Sequence, residues 1–337
     1  MYPKVLKVET GFSSLKHIRD AWWTDILDHE IYKTVPLWWR RIEEKLHLDI
    51  ILALRARSLA DQYDIIWADS EKVGIPLSLL RLQKPLVVIS HHLESQLKAR
   101  FVRITGMSKR WAGIGCISNQ SRRFFVDYLG VPNNRLFQFE SAKYLKISPP
   151  AGPISNGPII SIGVAKRDYN TLIEAVANLP GYETELFVSS KFGDRLAGHI
   201  RVGIPEWVRI MNYLPIDQLM MHYQKTRFVV VSLEETTHNG AGINAVLEAG
   251  AFGKAVIATK TGGMSSFVRD GETGILVPPY DSVALRSAIN KLWTQPELAC
   301  QMGKAGRAHM EAEFDPELVD SHIKEFLIKI YRESRSC

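Results

Sequence analysis

The sequence predicts an α/β protein built from two doubly wound, Rossmann-like domains with parallel sheets. Short apolar runs alternate with amphipathic helical patterns over most of the chain, an order typical of strand-helix-strand units. The chain has 337 residues, more than a single hydrophobic core usually accommodates. Prolines and glycines crowd residues 144–158 and indicate a linker. We therefore predict an N-terminal domain over 1–150 and a C-terminal domain over 151–337, facing each other across a cleft.

In the first half, short apolar runs bounded by polar or turn residues predict the strands, and apolar residues at helical spacing predict the helices. Ser118 is a suitable N-cap for the last of these helices. The predicted strands are 4–9, 65–68, 86–90 and 113–118, and the predicted helices are 37–57, 75–82 and 119–129.

The second half begins again with a strand and a helix that carries its apolar residues on one face. The same alternation then continues, which predicts a second sheet of the same kind. The predicted strands are 159–163, 184–189, 228–232, 255–259 and 274–277, and after a helix around 171–176 the predicted helices are 216–225, 243–252, 281–294 and 296–312.

Charge is divided unequally between the halves. Residues 1–150 hold 23 Lys and Arg against 15 Asp and Glu, whereas 151–337 hold 19 against 21. Tryptophan and arginine are mixed at Trp38 to Arg41 and again between Arg100 and Trp111, which suits an anionic membrane surface. A solvated basic face with buried tryptophans is an equal alternative. A nucleic-acid partner is not expected, because no recognised nucleic-acid motif accompanies the charge.

The cysteines and the N-terminus point to the compartment. Cys116, Cys300 and Cys337 are far apart and odd in number, which predicts neither a zinc site nor a disulfide framework. The first residues lack the apolar core of a signal peptide, and no run of about 18 apolar residues is present. We expect a cytoplasmic protein, with peripheral attachment to the inner face of a membrane as a further option.

The segment 232–259 carries the strongest chemical signal. A strand ends at Ser232, a loop with Gly240 and Gly242 follows, and a helix opens near Ile243. Glycines let backbone N–H groups approach an anion closely, and the helix N-terminus adds partial positive charge. This loop can therefore bind a diphosphate without a metal, and we expect no cofactor.

Glu248 lies a turn and a half into that helix. A carboxylate at this place can accept hydrogen bonds from both hydroxyls of a ribose. A solvated helix glutamate is the ordinary alternative, but the small and apolar neighbours of Glu248 favour a binding role.

These residues resemble one family: the retaining nucleotide-sugar glycosyltransferases of the GT-B fold, family four, also called glycosyl transferases group 1. The resemblance covers nearly all of the second half and depends on five segments occurring in register. These segments are 161–175, 242–248, 253–263, 270–279 and 302–306.

The resemblance implies a nucleotide-sugar donor, carrying UDP or GDP, in the C-terminal domain. It implies transfer with retention to a glycan, lipid or small-molecule acceptor, and a last helix able to pack back on the N-terminal domain. Glu248 would hold the ribose, and Lys166 and Arg167 would hold the diphosphate and stabilise the leaving charge. Lys166 and Arg167 as plain surface charges is the alternative. The predicted donor-binding residues are Gly163, Asn239, Gly240, Ala241, Gly242, Ile243, Asn244 and Glu248.

Two positions depart from the family pattern. The family usually has a glutamate seven residues before the ribose glutamate, where this chain has Gly240, and Asn239 or Glu235 would have to replace it. The family often has an arginine where this chain has Val164, and Lys166 would take over its role. These losses keep a catalytically impaired GT-B protein, acting as a binding or regulatory partner, open as an alternative.

The first half resembles the family less strongly, through segments 63–68, 85–92, 116–122 and 129–132. His91 and His92 directly follow a predicted strand, at the sheet edge where open α/β proteins bind ligands. The resemblance implies that one of them, with His91 better placed, lies near the donor sugar. A nicotinamide-dependent oxidoreductase would also have two such domains, but no G-x-G-x-x-G follows a strand.

Overall fold

The computed structural model describes residues 2–9, 24–146, 154, 156–188, 200–236 and 240–336. It divides into two compact units: Met1–Glu140 with Glu317–Cys337, and Ser141–Pro316. The second unit begins at Ser141 rather than at residue 151. The reason is local: the N–H of Ala142 donates to the carbonyl oxygen of Phe314 over 2.8 Å, and Arg307 donates to the carbonyl oxygen of Leu145 over 2.6 Å.

The first unit contains a parallel sheet in which the described strands have the order β2-β1-β3-β4-β5-β6. Every residue of β1, β3, β4 and β5 is buried, as expected for strands covered on both faces. The strands are β1 (Val5–Val8), β2 (Thr24–Leu27), β3 (Ile65–Ala68), β4 (Leu86–Ile89), β5 (Gly113–Cys116) and β6 (Leu136–Gln138). The helices are α1 (Leu37–Leu46), α2 (Ile50–Leu59), α3 (Glu71–Leu79), α4 (Gln96–Thr105) and α5 (Asn119–Arg123), which a π-helical turn, Phe124–Tyr128, continues.

The C-terminal helix, Pro316–Arg335, belongs mainly to the first unit. Its Phe326 ring lies 4.7 Å from the ring of Phe137. It packs directly over Gly113, where a Cβ would lie 2.9 Å from Cζ of Phe326. A residue with a side chain at Gly113 would therefore push the helix away from the sheet.

The predicted helix over 37–57 is wrong as a single element. The chain breaks at His47, which has a left-handed backbone with φ 53°. The carboxylate of Glu43 accepts the N–H of Ile51 over 2.7 Å and so caps the start of α2. The apolar pattern continues through both helices, which is why spacing alone did not reveal the break. The helix predicted over 75–82 also starts earlier, at Glu71, because Ser70 caps it by accepting the N–H of Lys72.

The second unit contains a parallel sheet in which the described strands have the order β12-β11-β10-β7-β8-β9. The strands are β7 (Ile159–Ile162), β8 (Thr184–Phe187), β9 (Val208–Met211), β10 (Val229–Val231), β11 (Val256–Thr259) and β12 (Gly274–Val277). The helices are α6 (Tyr169–Ala177), α7 (Ile216–Lys225), α8 (Ile243–Ala251), α9 (Ser282–Thr294) and α10 (Pro296–Glu313). Two sheets with helices between their strands confirm the predicted fold class.

Strand order places the site. β7 and β10 are neighbours, paired through Ile160 and Val229, yet the chain leaves β7 toward β8 and leaves β10 toward β11. The connections from these two strands to the next strands therefore run toward opposite edges of the sheet. Open α/β sheets bind ligands in the crevice that such a divergence creates at the carboxyl ends of the strands.

Candidate functional site: the loops after β7 and β10

The loops after β7 and β10 are joined by backbone hydrogen bonds. Arg167 and Leu233 form an antiparallel bridge. The N–H of Glu234 donates to the carbonyl oxygen of Lys166 over 3.0 Å, and the N–H of Asp168 donates to that of Ser232 over 3.1 Å. The two loops thus form one layer over the crevice between β7 and β10.

Arg167 is buried within this layer, and its guanidinium binds its own loop. Nε and Nη2 donate to the carbonyl oxygen of Ile162 over 2.9 and 2.6 Å, and Nη1 donates to that of Ala165 over 3.1 Å. Burial lowers the pKa of this guanidinium, whereas nearby Tyr169, Tyr223 and Glu248 act to raise it. Arg167 therefore adds a cation close to Glu248 while it also holds the loop in shape. Sequence reasoning predicted the cation and missed the scaffolding.

Lys166 occupies the turn of the same loop with a left-handed backbone, φ 55°. Its side chain is about half exposed, and Nζ lies 3.5 Å from a carboxylate oxygen of Glu234, which is also about half exposed. Ion pairs of this kind are weak and exchange partners readily. Of the two predicted diphosphate cations, Lys166 is the one whose charge lies at the surface.

The loop after β10 leads into α8 through Gly240, Ala241 and Gly242, while Asn239 lies outside the described residues. Gly242 is the N-cap and has φ 80°. A Cβ there would lie 2.7 Å from Cγ1 of Val231, so only glycine fits. The side chains of Ala241 and Ile243 are buried. These residues can therefore meet a ligand only through their backbone, as a helix N-terminus that binds an anion does.

Glu248 lies on α8 one turn beyond Asn244, which puts both side chains on one face. The Tyr223 hydroxyl donates to Oε2 of Glu248 over 2.6 Å. Burial raises the pKa of Glu248 to about 7, although the Tyr223 hydrogen bond and the charges of Lys143 and Arg167 lower it. The carboxyl group is thus held in a sheltered position where its charge depends on pH near neutrality.

Two cavities of the second unit adjoin these residues. The smaller, about 150 Å³, is lined by Glu248, Asn244 and Leu247 from α8 and by Ser141, Lys143 and Tyr144 from the start of the unit. The larger, about 450 Å³, lies beside the β7 loop, and many of its lining residues are polar or charged. Its lining includes Arg167, Asp168, Asn170, Arg201, Glu234 and Tyr280.

His91 lies after β4 in the first unit and is held by three contacts. Its Nε2 lies 3.0 Å from the carbonyl oxygen of Asp69, and its N–H donates to Oε2 of Glu71 over 3.1 Å. The imidazole ring meets the edge of Phe139 with centroids 5.5 Å apart. Because a carbonyl oxygen only accepts, Nε2 carries the proton of the neutral ring. Nδ1 is then the acceptor that the imidazole can offer elsewhere.

The match with known proteins falls on the second unit. Residues 159–309 match the model of the family described as glycosyl transferases group 1. The second unit is a glycosyl transferases group 1 domain. Its matched segment contains the β7 loop, the β10 loop and α8 with Glu248, whereas Lys143, Tyr144 and His91 lie outside it.

Curated relatives carry glycosyltransferase names. A lipopolysaccharide core biosynthesis glycosyltransferase, LpsE, of Rhizobium meliloti is 28% identical over 164 residues, which cover 48% of this chain and 46% of that protein. A GDP-mannose-dependent alpha-(1-6)-phosphatidylinositol monomannoside mannosyltransferase of Mycolicibacterium smegmatis is 31% identical over 112 residues, covering 32% and 28%. The chain thus spans less than half the length of these relatives.

Solved structures extend the similarity of fold to nearly the whole chain. Anabaena Alr3699/HepE in complex with UDP and glucose has a TM-score of 0.74 at 18% identity, covering 97% of this chain and 100% of that one. The same protein in complex with UDP-glucose has a TM-score of 0.73 at 17% identity, with the same coverage. This similarity shows the GT-B fold. The alternative of a catalytically impaired relative gains no support from these matches.

Sequence reasoning missed the partners of Glu248 in this glycosyl transferases group 1 domain. Tyr223 lies on α7, and Lys143 and Tyr144 belong to the segment that the sequence assigned to the end of the first domain. It also missed Lys98 and Glu71, which form an ion pair over 3.2 Å beside His91. No spacing pattern connects these positions, because they meet only when separate strand-helix units pack together.

Two predicted absences concern the residues that the structure describes. Among them, no three His, Cys, Asp or Glu side chains gather in a way that could hold a metal ion, and metal-free catalysis remains a prediction. Over the same residues, no helix combines the length and apolar composition needed to cross a bilayer.

Proposed function

We propose that this chain is a glycosyltransferase that takes a sugar from a nucleoside-diphosphate donor bound in the second unit. One observation carries the proposal: Gly242 opens α8 at the switch point of the sheet, and a sheltered carboxylate, Glu248, lies on the same helix. The helix N-terminus suits a diphosphate, and the carboxylate suits the two hydroxyls of a ribose. The donor would carry UDP or GDP.

The chemistry requires stabilisation of the leaving nucleoside diphosphate, which gains negative charge as the bond to the sugar breaks. Lys166 would supply a mobile surface cation for that charge, and Arg167 would supply a fixed positive field from within the loop. The backbone N–H groups at Gly242 and beyond would bind a phosphate oxygen, with no metal required. Retention at the anomeric carbon is the outcome we propose from the family.

The first unit would bind the acceptor, which we propose to be a glycan, a lipid-linked sugar or a small molecule. His91, with its Nδ1 available as an acceptor, would hydrogen-bond a hydroxyl of the donor sugar. Asn239 or Glu235 would take the place of the family glutamate that Gly240 replaces.

We further propose that the first unit attaches peripherally to an anionic membrane through α4. Leu97, Phe101 and Ile104 are 85%, 43% and 74% exposed, and their spacing puts them on one face of the helix. The opposite face, with Ala99 and Val102, is buried. Arg100 and Arg103 are exposed beside the apolar residues. A helix with this pattern inserts its apolar side chains among acyl chains while its arginines meet anionic headgroups.

Calorimetric titration tests the donor site. The purified chain would be titrated with UDP-glucose and GDP-mannose, and the titration repeated on Glu248→Ala. Glu174→Ala is the matched control, because Glu174 is an exposed glutamate on α6 of the same unit. We expect one donor to bind, at least about tenfold weaker binding in Glu248→Ala, and no change in Glu174→Ala. Binding by neither donor would overturn the proposal.

A further inference from the structure

Tyr223 is a fully buried side chain of α7 that reaches the candidate ribose-binding carboxylate. Its hydroxyl donates to Oε2 of Glu248 over 2.6 Å, within the range of a strong hydrogen bond to a charged acceptor. The ring is stacked on Phe252, with centroids 5.2 Å apart and planes 5° from parallel. The ring therefore has little freedom, and the hydroxyl is fixed in direction.

The end of the Tyr223 helix is fixed in turn by Lys254. Its Nζ donates to the carbonyl oxygens of Gln224 and Thr226, over 2.9 Å each, so it binds the last carbonyls of α7. Lys254 itself follows α8, the helix that carries Glu248. Two contacts thus connect α7 with α8 and the segment after it. The Tyr223 hydroxyl of α7 binds Glu248 of α8, and the Lys254 ammonium binds the end of α7.

Such a contact changes what the carboxylate can bind. An ionised carboxylate has two oxygens with about four acceptor positions, whereas a protonated one has lost part of that capacity and gained a donor. The Tyr223 hydroxyl fills one position on Oε2 and leaves Oε1 and the rest of Oε2 for a ligand. The two vicinal hydroxyls of a ribose would donate to these remaining acceptor positions.

We infer that Tyr223 is a positioning residue for donor binding, which holds the Glu248 carboxylate in the orientation and charge state that ribose hydroxyls require. This inference rests on the proposed function, in which Glu248 meets the ribose. Tyr223 touches no substrate atom in this role, because its side chain is fully buried and its hydroxyl is committed to Glu248.

The other charged groups around Glu248 do not replace Tyr223. Lys143 and Arg167 lower the pKa of Glu248 through their charge, and Tyr144 is a further titratable neighbour. The guanidinium of Arg167 already donates to its own loop. Burial is the main influence on the pKa of Glu248, and it opposes ionisation. The Tyr223 hydrogen bond is the largest influence in the opposite direction, so its removal would leave the carboxyl group protonated up to a higher pH.

Donor affinity as a function of pH separates this role from a merely structural one. UDP-glucose and GDP-mannose are suitable probes, because their diphosphates are diesters with no proton to gain near neutral pH. We would titrate the wild-type chain, Tyr223→Phe and Glu248→Gln with each probe from about pH 6 to about pH 9. Tyr182→Phe is the matched control, since the Tyr182 hydroxyl donates to Asn290 over 2.7 Å elsewhere in the same unit.

We expect Tyr223→Phe to bind about tenfold more weakly than wild type near pH 6.5 and within about threefold near pH 8.5. Wild-type affinity should rise with pH, and Glu248→Gln should bind weakly without that dependence. Tyr182→Phe should follow wild type. A Tyr223→Phe curve that coincides with wild type, or that lies below it by the same factor at every pH, would overturn the inference.

Failure of the proposed function gives a different result. If Glu248→Gln binds as wild type does, or if neither probe binds wild type, the donor site itself is wrong and the inference fails with it. A ligand-free measurement checks Tyr223 separately: the carboxyl ¹³C resonance of Glu248, assigned by its loss in Glu248→Gln, should titrate at higher pH in Tyr223→Phe. An unchanged midpoint would contradict the inference even if a donor binds.

Discussion

The guanidinium of Arg167 fills the space beside Gly163, at the end of β7, where a side chain at position 163 would lie. A Cβ on Gly163 would lie 2.8 Å from Cζ of Arg167, on a residue whose φ is 119°. The guanidinium that fills this space binds the carbonyl oxygens of Ile162 and Ala165 and so closes the loop on itself. Glycine at 163 is therefore the condition for Arg167 to be buried, and the loop that follows depends on both residues.

This relationship predicts the effect of Gly163→Ala. The added methyl displaces the guanidinium, and we expect a loss of about 2–4 kcal/mol in the free energy of unfolding together with weaker donor binding. Gly181→Ala is the matched control: Gly181 has φ 81° but nothing within 4 Å of its Cβ position, so it isolates the cost of backbone strain. Urea unfolding and calorimetry measure the two effects. Equal losses in both variants would show that the collision with Arg167 contributes nothing.

The exposure of Lys166 predicts a different result. Lys166→Ala removes only a half-exposed ion pair with Glu234, so we expect the free energy of unfolding to change by less than about 0.5 kcal/mol. Donor affinity should fall about tenfold if its charge meets the diphosphate. The loss should shrink as salt is raised, because the interaction is exposed to solvent. Lys304→Ala, an exposed lysine on α10 of the same unit, should leave donor affinity unchanged, and equal losses in both lysine variants would contradict a local role.

The sequence predicted a parallel sheet in the second unit and the glycine-led start of α8, because both follow from local patterns. Apolar runs marked β7, β10, β11 and β12, and glycines marked the loop before Ile243. Strands β2, β6 and β9 were missed. All three lie at an edge of their sheet, and each contains a polar residue and is only partly buried. They therefore lack the continuous apolar run that marks a strand covered on both faces.

The side-chain partners of the site could not be predicted from sequence. Tyr223 and Glu248 are 25 residues apart in sequence. Lys143 lines the same cavity as Glu248, although 248 − 143 = 105 residues separate the two in sequence. Arg167 was predicted as a cation for the diphosphate, yet its guanidinium is buried and makes three hydrogen bonds to two carbonyl oxygens of its own loop, those of Ile162 and Ala165. Such outcomes depend on packing between elements, which local spacing does not encode.

The raised pKa of Glu248 predicts how stability changes with pH. Burial raises this pKa from about 4.5 to about 7, so the folded chain holds the proton more tightly than the unfolded chain. The resulting stabilisation is present below about pH 4.5 and is lost as pH rises through about 7, where the buried carboxylate becomes charged. We expect the difference in unfolding free energy between wild type and Glu248→Gln to fall by about 3 kcal/mol over that interval.

Urea unfolding at a series of pH values measures this difference, with tryptophan fluorescence as the signal. Glu174→Gln is the control, because Glu174 is exposed and should follow wild type at every pH. Curves for wild type and Glu248→Gln that run parallel between about pH 5 and about pH 8 would contradict the assignment of this titration to Glu248.

The exposed face of α4 predicts binding to anionic vesicles. We expect the wild-type chain to co-sediment with vesicles containing phosphatidylglycerol at about 50 mM salt, and much less with neutral phosphatidylcholine vesicles or at high salt. The double variant Leu97→Ser with Ile104→Ser removes two apolar side chains that would enter the membrane. Binding should fall by about tenfold or more, because each buried apolar side chain contributes favourable transfer free energy.

A matched control decides whether the effect belongs to α4. Val283 on α9 of the second unit is 68% exposed, so Val283→Ser removes an exposed apolar side chain elsewhere and should leave binding unchanged. The buried contacts of Ala99 and Val102 stay intact in the α4 variant, so its fold should be preserved. If the variant and wild type sediment equally, α4 does not contact the membrane. If neither binds at low salt, the proposed attachment of the first unit to an anionic membrane is wrong.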